Sequence, residues 1–186
     1  MAVRPLVYYP DERLTKSCQQ VGAFDAELAE FGKDLADSMF AWGGVGIAAP
    51  QVGDSRMVFA ITTELADQGL SKWIGPESRE GNAWLFVNPA IIRMYPGARE
   101  TGLEGCLSFP DIFVRVPRCK DIVLEAYNIE GKKFTVVASG FLGRALQHEL
   151  DHLLGVTMID ELSYLRRQRI LKKLSKWKKK HGGLSH

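Results

Sequence analysis

The chain has 186 residues, 46% of them hydrophobic and 25% charged, with a formal net charge of +2. This composition supports one globular domain, residues 1–186, with a core of its own. It leaves no apolar run near the length of a membrane span, so no membrane partner is expected.

The opening residues MAVRPLVYYP have neither a secretory apolar region nor the look of a transit peptide. Residues 1–24 read as irregular, with a turn at Tyr9-Pro10-Asp11. From Asp25 to Ala41 the apolar positions Leu28, Phe31, Leu35, Met39 and Phe40 recur at helical spacing, with Asp25 as N-cap and Trp42-Gly43-Gly44 as the stop. GGVGIAAPQVG, 43 to 53, is glycine-rich but follows a helix and lacks a Lys-Ser/Thr ending. It is therefore neither a dinucleotide fingerprint nor a P-loop. It reads as a tight turn, or as backbone open to a ligand with the Gln51 amide at hand.

Residues 56–62 and 83–89 read as buried strands, the second ended by Pro89. The polar stretch 63–82 between them reads as an exposed loop. Ile122–Tyr127 and Phe134–Ala138 flank Asn-Ile-Glu-Gly, a hairpin signal. Ser139 is placed to cap a helix running to Leu154, with Gly155 beyond its end. Leu165 to Lys180 reads as a last amphipathic helix with an apolar stripe of Leu165, Ile170, Leu171, Leu174 and Trp177. Strands in the middle and helices at the ends argue for an α+β fold with antiparallel pairing.

The helix ending at Leu154 contains HELDH, 148 to 152. Residues four apart share a helix face, so His148 and His152 can reach one ion and leave Glu149 beside it. A hydrolytic site takes three protein ligands and keeps one position open. Met158 stands where a metzincin would have its third histidine. Asp160 and Glu161 follow very closely in sequence to fold back onto the same ion, though they remain candidates. Upstream, TGLEGCLSFP, 101 to 110, sets Cys106 after Gly105, next to Glu104 and near Gly102. A thiolate with two imidazoles suits Fe(II) or Zn(II). The other cysteines, Cys18 and Cys119, lack flanking glycines. An odd number of cysteines also points to a reducing compartment.

Three stretches together, GVGIAAPQ (44–51), EGCLS (104–108) and HELDH (148–152), resemble the motifs of the peptide deformylases. The likeness extends through YYPDERL, VNPAII and YLRRQRI, over essentially the whole chain. It implies antiparallel sheets around a central zincin-like HExxH helix, with an N-terminal and a C-terminal helix. It implies removal of the N-formyl group from the initiator methionine of nascent peptides in the cytoplasm. The metal ligands would be Cys106, His148 and His152, around one divalent ion. That ion would be Fe(II) in the cell, with Zn(II), Ni(II) or Co(II) able to substitute. Glu149 would move protons, and Gln51 with the Leu107 N–H would stabilise the oxyanion. The substrate would lie against Val45, Gly46, Glu104, Gly105, Phe141 and Arg144. Arg144 departs from the pattern, since family members usually have an apolar residue there. It is expected to snorkel to solvent, or else to make the pocket rim more polar.

Residues 162–186 carry nine Lys/Arg and no acid, whereas the rest of the chain is net −7. The expectation is a solvated basic face over 166–180, with ribosome contact as its sharper form and no role in DNA binding. Two rival functions stand beside deformylation. A general metalloprotease would cleave casein. A non-catalytic RNA-binding protein would hold a purely structural metal, and would have no use for Glu149.

Overall fold

The computed structural model describes residues 2–95, 97–160 and 162–181. Among them the chain forms three α-helices and nine strands. Helix α1 is Ala26–Ala41. The strands are β1 (Gly46–Ala48), β2 (Val58–Thr62), β3 (Leu70–Ile74), β4 (Arg79–Glu80), β5 (Ala83–Met94), β6 (Arg99–Cys106), β7 (Phe109–Cys119), β8 (Ile122–Tyr127) and β9 (Lys133–Ala138). Helices α2 (Gly140–Leu153) and α3 (Tyr164–His181) close the chain.

One sheet runs β1-β2-β5-β8-β9-β3, with β4 also on β5, and β6–β7 pair apart from it. All the strand pairings are antiparallel. The uninterrupted apolar run of β2 follows from burial on both faces. Alternation sends Val58 and Ala60 toward α1, where Leu28, Phe31 and Leu35 pack. It sends Phe59 and Ile61 the other way, to meet Leu142, Leu146 and Leu153 of α2. Helix α2 contacts β1 and β2 on one side and β7 on another. A third cluster joins β7, through Ile112, Val114 and Val116, to Ile170 and Leu174 of α3.

Several sequence expectations change. Asp25 does cap α1, accepting from the Leu28 N–H at 3.0 Å, but Phe40 faces solvent. Pro89 does not end β5. The ladder to β8 shifts register between Val87 and Ala90, so the missing proline N–H breaks no pair. Beside it, the Asn88 side chain bonds both the N–H and the C=O of Val21, pinning the N-terminal segment. The stretch 63–82 is not a plain loop. It holds a 3-10 turn, Thr63–Gln68, and the edge strand β3, whose polar residues face outward. Trp73 of β3 stacks on Phe134 at 4.6 Å. Ser139 stands at the α2 N-cap without making a side-chain cap bond. On α3, Leu165 is 70% exposed and lies outside the apolar stripe. Trp177 instead meets the ring of Tyr8 at 5.0 Å.

Leu146 is fully buried between α2 and the sheet. Leu146→Ala is expected to destabilise the protein by about 2–5 kcal/mol in urea unfolding. A loss below about 1 kcal/mol would mean that α2 is not pressed onto that face.

Candidate metal centre

Three elements bring the centre together. Helix α2 carries Arg144, His148, Glu149 and His152, β6 carries Glu104 and Cys106, and a 3-10 turn after β1, Ala49–Val52, carries Gln51. The β6–β7 register shifts between Gly105 and Cys106, a local irregularity at the residue that bears the thiol. The ring centroids of His148 and His152 are 4.9 Å apart, nearly perpendicular. Cys106 Sγ lies 3.2 Å from His152 Nε2. One ligand atom from each of Cys106, His148 and His152 falls within 4.8 Å of the others, the one such group found among the described residues.

The donor chemistry fits a divalent ion. His148 Nδ1 is engaged with Glu104 Oε2 at 2.9 Å, which leaves Nε2 for coordination. Burial drives His152 toward its neutral, metal-binding form. Two buried polar atoms here, Glu149 Oε2 and His152 Nδ1, have no protein partner. Glu149 lines the cleft, so its unpaired oxygen can be met by a water or ligand there.

Glu104 is the anchor beneath the histidine. Its Oε1 accepts from Arg118 Nε and Arg144 Nη1, both at 2.9 Å, and its Oε2 accepts also from Arg118 Nη2 at 3.0 Å. Burial alone would raise its pKa, but His148 and Arg118 outweigh burial and hold it at about 2. Arg118 further binds Asp151. Arg144 does not snorkel outward but lies buried with its guanidinium in the wall of the cleft, the second of the two expectations. It is 9% exposed and also donates to the Val116 and Glu100 carbonyls, each at 2.8 Å.

Glu149 has the opposite environment. Burial raises its pKa to about 7, with the Glu104 and Asp151 charges adding to the rise against His148 and Arg118. Its Oε1 would lie 2.5 Å from a Cβ at position 46, so glycine there makes room for the carboxylate. Gln51 Oε1 accepts from the Ala48 N–H at 2.9 Å. That bond turns Nε2 toward Cys106 Sγ, at 3.4 Å, and Ser108 Oγ, at 3.2 Å.

A cleft of about 630 Å³ opens on this centre. Of the residues singled out in the sequence, Gln51, Cys106, Leu107, His148 and Glu149 line it. So do Val45, Gly46, Glu104, Gly105, Phe141 and Arg144, while His152 lies outside the lining. Of the two other carboxylates weighed as ligands, Asp160 is bound to Thr157 and Arg167, and Glu161 lies outside the described residues. Met158 is a core residue of the α3 cluster. The sequence reading passed over Arg118 and Asp151. Arg118 had one available signal, because it continues the buried alternation Ile112, Val114, Val116 along β7.

The sequence model of the polypeptide deformylase family matches residues 3–168. The peptide deformylase of Brucella suis is 37% identical over 176 residues, covering 95% of this chain and 94% of its own. That of Desulforudis audaxviator is 34% identical, covering 91% and 99%. The crystal structure of a peptide deformylase from Legionella pneumophila superposes with a TM-score of 0.85 at 33% identity, over 97% of this chain and 98% of that one. The Ehrlichia chaffeensis peptide deformylase, in complex with actinonin, gives 0.82 at 29% identity over 95% and 98%.

The low pKa of Glu104 has a consequence for the metal-free protein. A carboxyl depressed from 4.5 to about 2 adds stability that is present above pH 4.5 and is lost as pH falls toward 2. Glu104→Gln is expected to cost about 3–5 kcal/mol at pH 6. The gap to the wild type should narrow between pH 4.5 and pH 2, read by urea unfolding across that range. A gap that stays constant with pH would show that the carboxylate is not held low.

Proposed function

The chain belongs to the peptide deformylase family and removes the N-formyl group from nascent polypeptides, and on that premise we propose which of its residues carry the reaction. The observation that carries the reading is the Cys106, His148 and His152 trio beside a buried carboxylate, Glu149 Oε2, that has no protein partner. In this reading the one domain, 1–186, uses α2 in the zincin manner, with two histidines one helical turn apart and a glutamate between them. A divalent cation held by the trio would polarise the formyl oxygen and make water more acidic. Glu149 takes a proton from the attacking water, and the oxygen bonds to the formyl carbon. The Gln51 amide and the Leu107 N–H meet the charge that develops on the formyl oxygen. Glu149 then returns its proton to the amine as the C–N bond breaks, giving formate and a free N-terminus. Before any cation is bound, burial already lifts this carboxyl to about 7, out of the ordinary carboxylate range and toward that of a group that both takes and gives a proton.

The peptide lies extended beside Gly46 and Gly105, in the manner of an added strand. Its first side chain, that of methionine, enters between Val45, Phe141 and the adjoining face of α2. One thiolate and two imidazoles suit Fe(II) in the cell, and equally Zn(II), Ni(II) or Co(II). Three unpaired cysteines accord with work in the cytoplasm. No described helix is long and apolar enough to cross a membrane.

A formyl-Met-Ala assay on metal-loaded protein tests the mechanism. Glu149→Ala is expected to retain the metal by elemental analysis and to lose about 10²-fold or more in kcat. Full turnover by the metal-loaded variant would remove Glu149 from its role, and digestion of casein by the wild type would favour the protease reading.

The basic face of α3 supports a second element of the proposal, weak contact with ribosomal RNA phosphates. Arg166, Arg169, Lys172, Lys173 and Lys176 are exposed, while Ile170 and Leu174 hold the helix to the body. Replacing Lys172, Lys173, Lys176 and Lys179 by Gln leaves that packing alone. Cosedimentation with ribosomes at low salt is expected to fall in this variant, and in the wild type as salt rises. Equal cosedimentation of both proteins would argue against the contact.

A further inference from the structure

We propose that Arg144 is a specificity-determining residue whose guanidinium closes the inner end of the pocket for the first side chain, and so limits the length of side chain the enzyme accepts. The proposal rests on the cleft being the formyl-peptide site.

A second cavity of about 250 Å³ lies next to the cleft. Three residues line both, Leu103, Phe141 and Arg144, and so form the wall between them. Leu103 and Phe141 are 58% and 43% exposed, which puts them on the outer part of that wall. Arg144 is 9% exposed and forms the inner part. Beyond it the side cavity is lined by Gly102, Arg118, Cys119 and Lys120.

The wall is fixed in place. Arg144 is held by Glu104 Oε1 and by the Glu100 and Val116 carbonyls, one on β6 and one on β7. A Cβ at position 102 would lie 2.6 Å from the guanidinium carbon, so the arginine occupies space that only glycine leaves open. A first side chain one methylene too long would have to push a charged group off three acceptors. In a fitted pocket an extra methylene costs about 10–200-fold in kcat/KM. The wall can also be removed without releasing His148, because Arg118 holds Glu104 through two bonds of its own, at 2.9 and 3.0 Å.

The test uses the full-length, metal-loaded enzyme and formyl-X-Ala peptides, where X is norleucine, 2-aminoheptanoate or 2-aminooctanoate. In the wild type kcat/KM is expected to fall about tenfold or more for each methylene beyond norleucine. In Arg144→Ala the two cavities merge, and the ratio of the 2-aminooctanoyl to the norleucyl peptide should rise at least about tenfold. Arg144→Met, which refills the space without charge, should keep the wild-type ratio. Each ratio compares two substrates on one sample, so loss of folded or metal-loaded enzyme cancels. An unchanged ratio in Arg144→Ala overturns the proposal, as does an equal shift in Arg144→Met. If Arg144→Ala does not fold, the wild-type series decides, and a profile with no break past norleucine overturns the wall. An enzyme that hydrolyses formyl-Met-Ala with such an unbroken profile loses only the wall. One that hydrolyses no formyl peptide loses the functional premise and the wall with it.

Discussion

A carboxylate buried as deeply as that of Glu104 persists only where donors meet both oxygens. Four do so: two from Arg118, one from Arg144 and one from His148. Arg118 comes from β7, Arg144 and His148 from α2, and Glu104 itself from β6. One acid therefore ties the β6–β7 hairpin to the histidine helix, although the hairpin shares no ladder with the main sheet. The charges balance locally, with Glu104 and Asp151 against the two guanidinium groups. The bond to Nδ1 also settles which nitrogen of His148 faces the centre.

The same few residues hold two glutamates with contrary acidities. Glu104 is surrounded by donors and stays ionised at about 2. Glu149, next to His148 in the chain, has burial without enough donors and rises to about 7. Environment alone separates a structural anion from a group able to exchange protons near neutrality. Position 46 contributes to the difference, since its missing side chain lets the Glu149 carboxylate approach the β1 backbone without supplying a donor to it.

Much of this was legible in the sequence where short-range rules apply. Helical periodicity and a capping aspartate located α1, and the i, i+4 histidines located the face of α2 that carries the candidate ligands. Cys106 could be singled out by its glycines and by sulfur chemistry, before any geometry. The failures share a cause, which is pairing between residues distant in sequence. The β6–β7 hairpin turns at Leu107-Ser108, within a motif already read as chemistry, so its strands went unread. Without the hairpin, the inward side of β7 was invisible, and Arg118 with it. Arg144 was expected either at the surface, because a long cation on a helix usually reaches water, or at a polar pocket rim, and it lines the cleft while buried. Its acceptors lie 28 to 44 residues away and cannot be seen from the helix alone. Pro89 was read as a stop because nothing local reveals the register shift that accommodates it.

The closeness of Gly102 to the Arg144 guanidinium also constrains how such a pair can be reached by single changes. With any side chain at 102, a carbon would lie about 2.6 Å from the charged head of Arg144, and one of the two would have to shift. A side chain at 102 and the Arg144 guanidinium therefore compete for one volume. Once the arginine is seated, the glycine can no longer be exchanged without displacing it, so the two positions behave as one heritable unit.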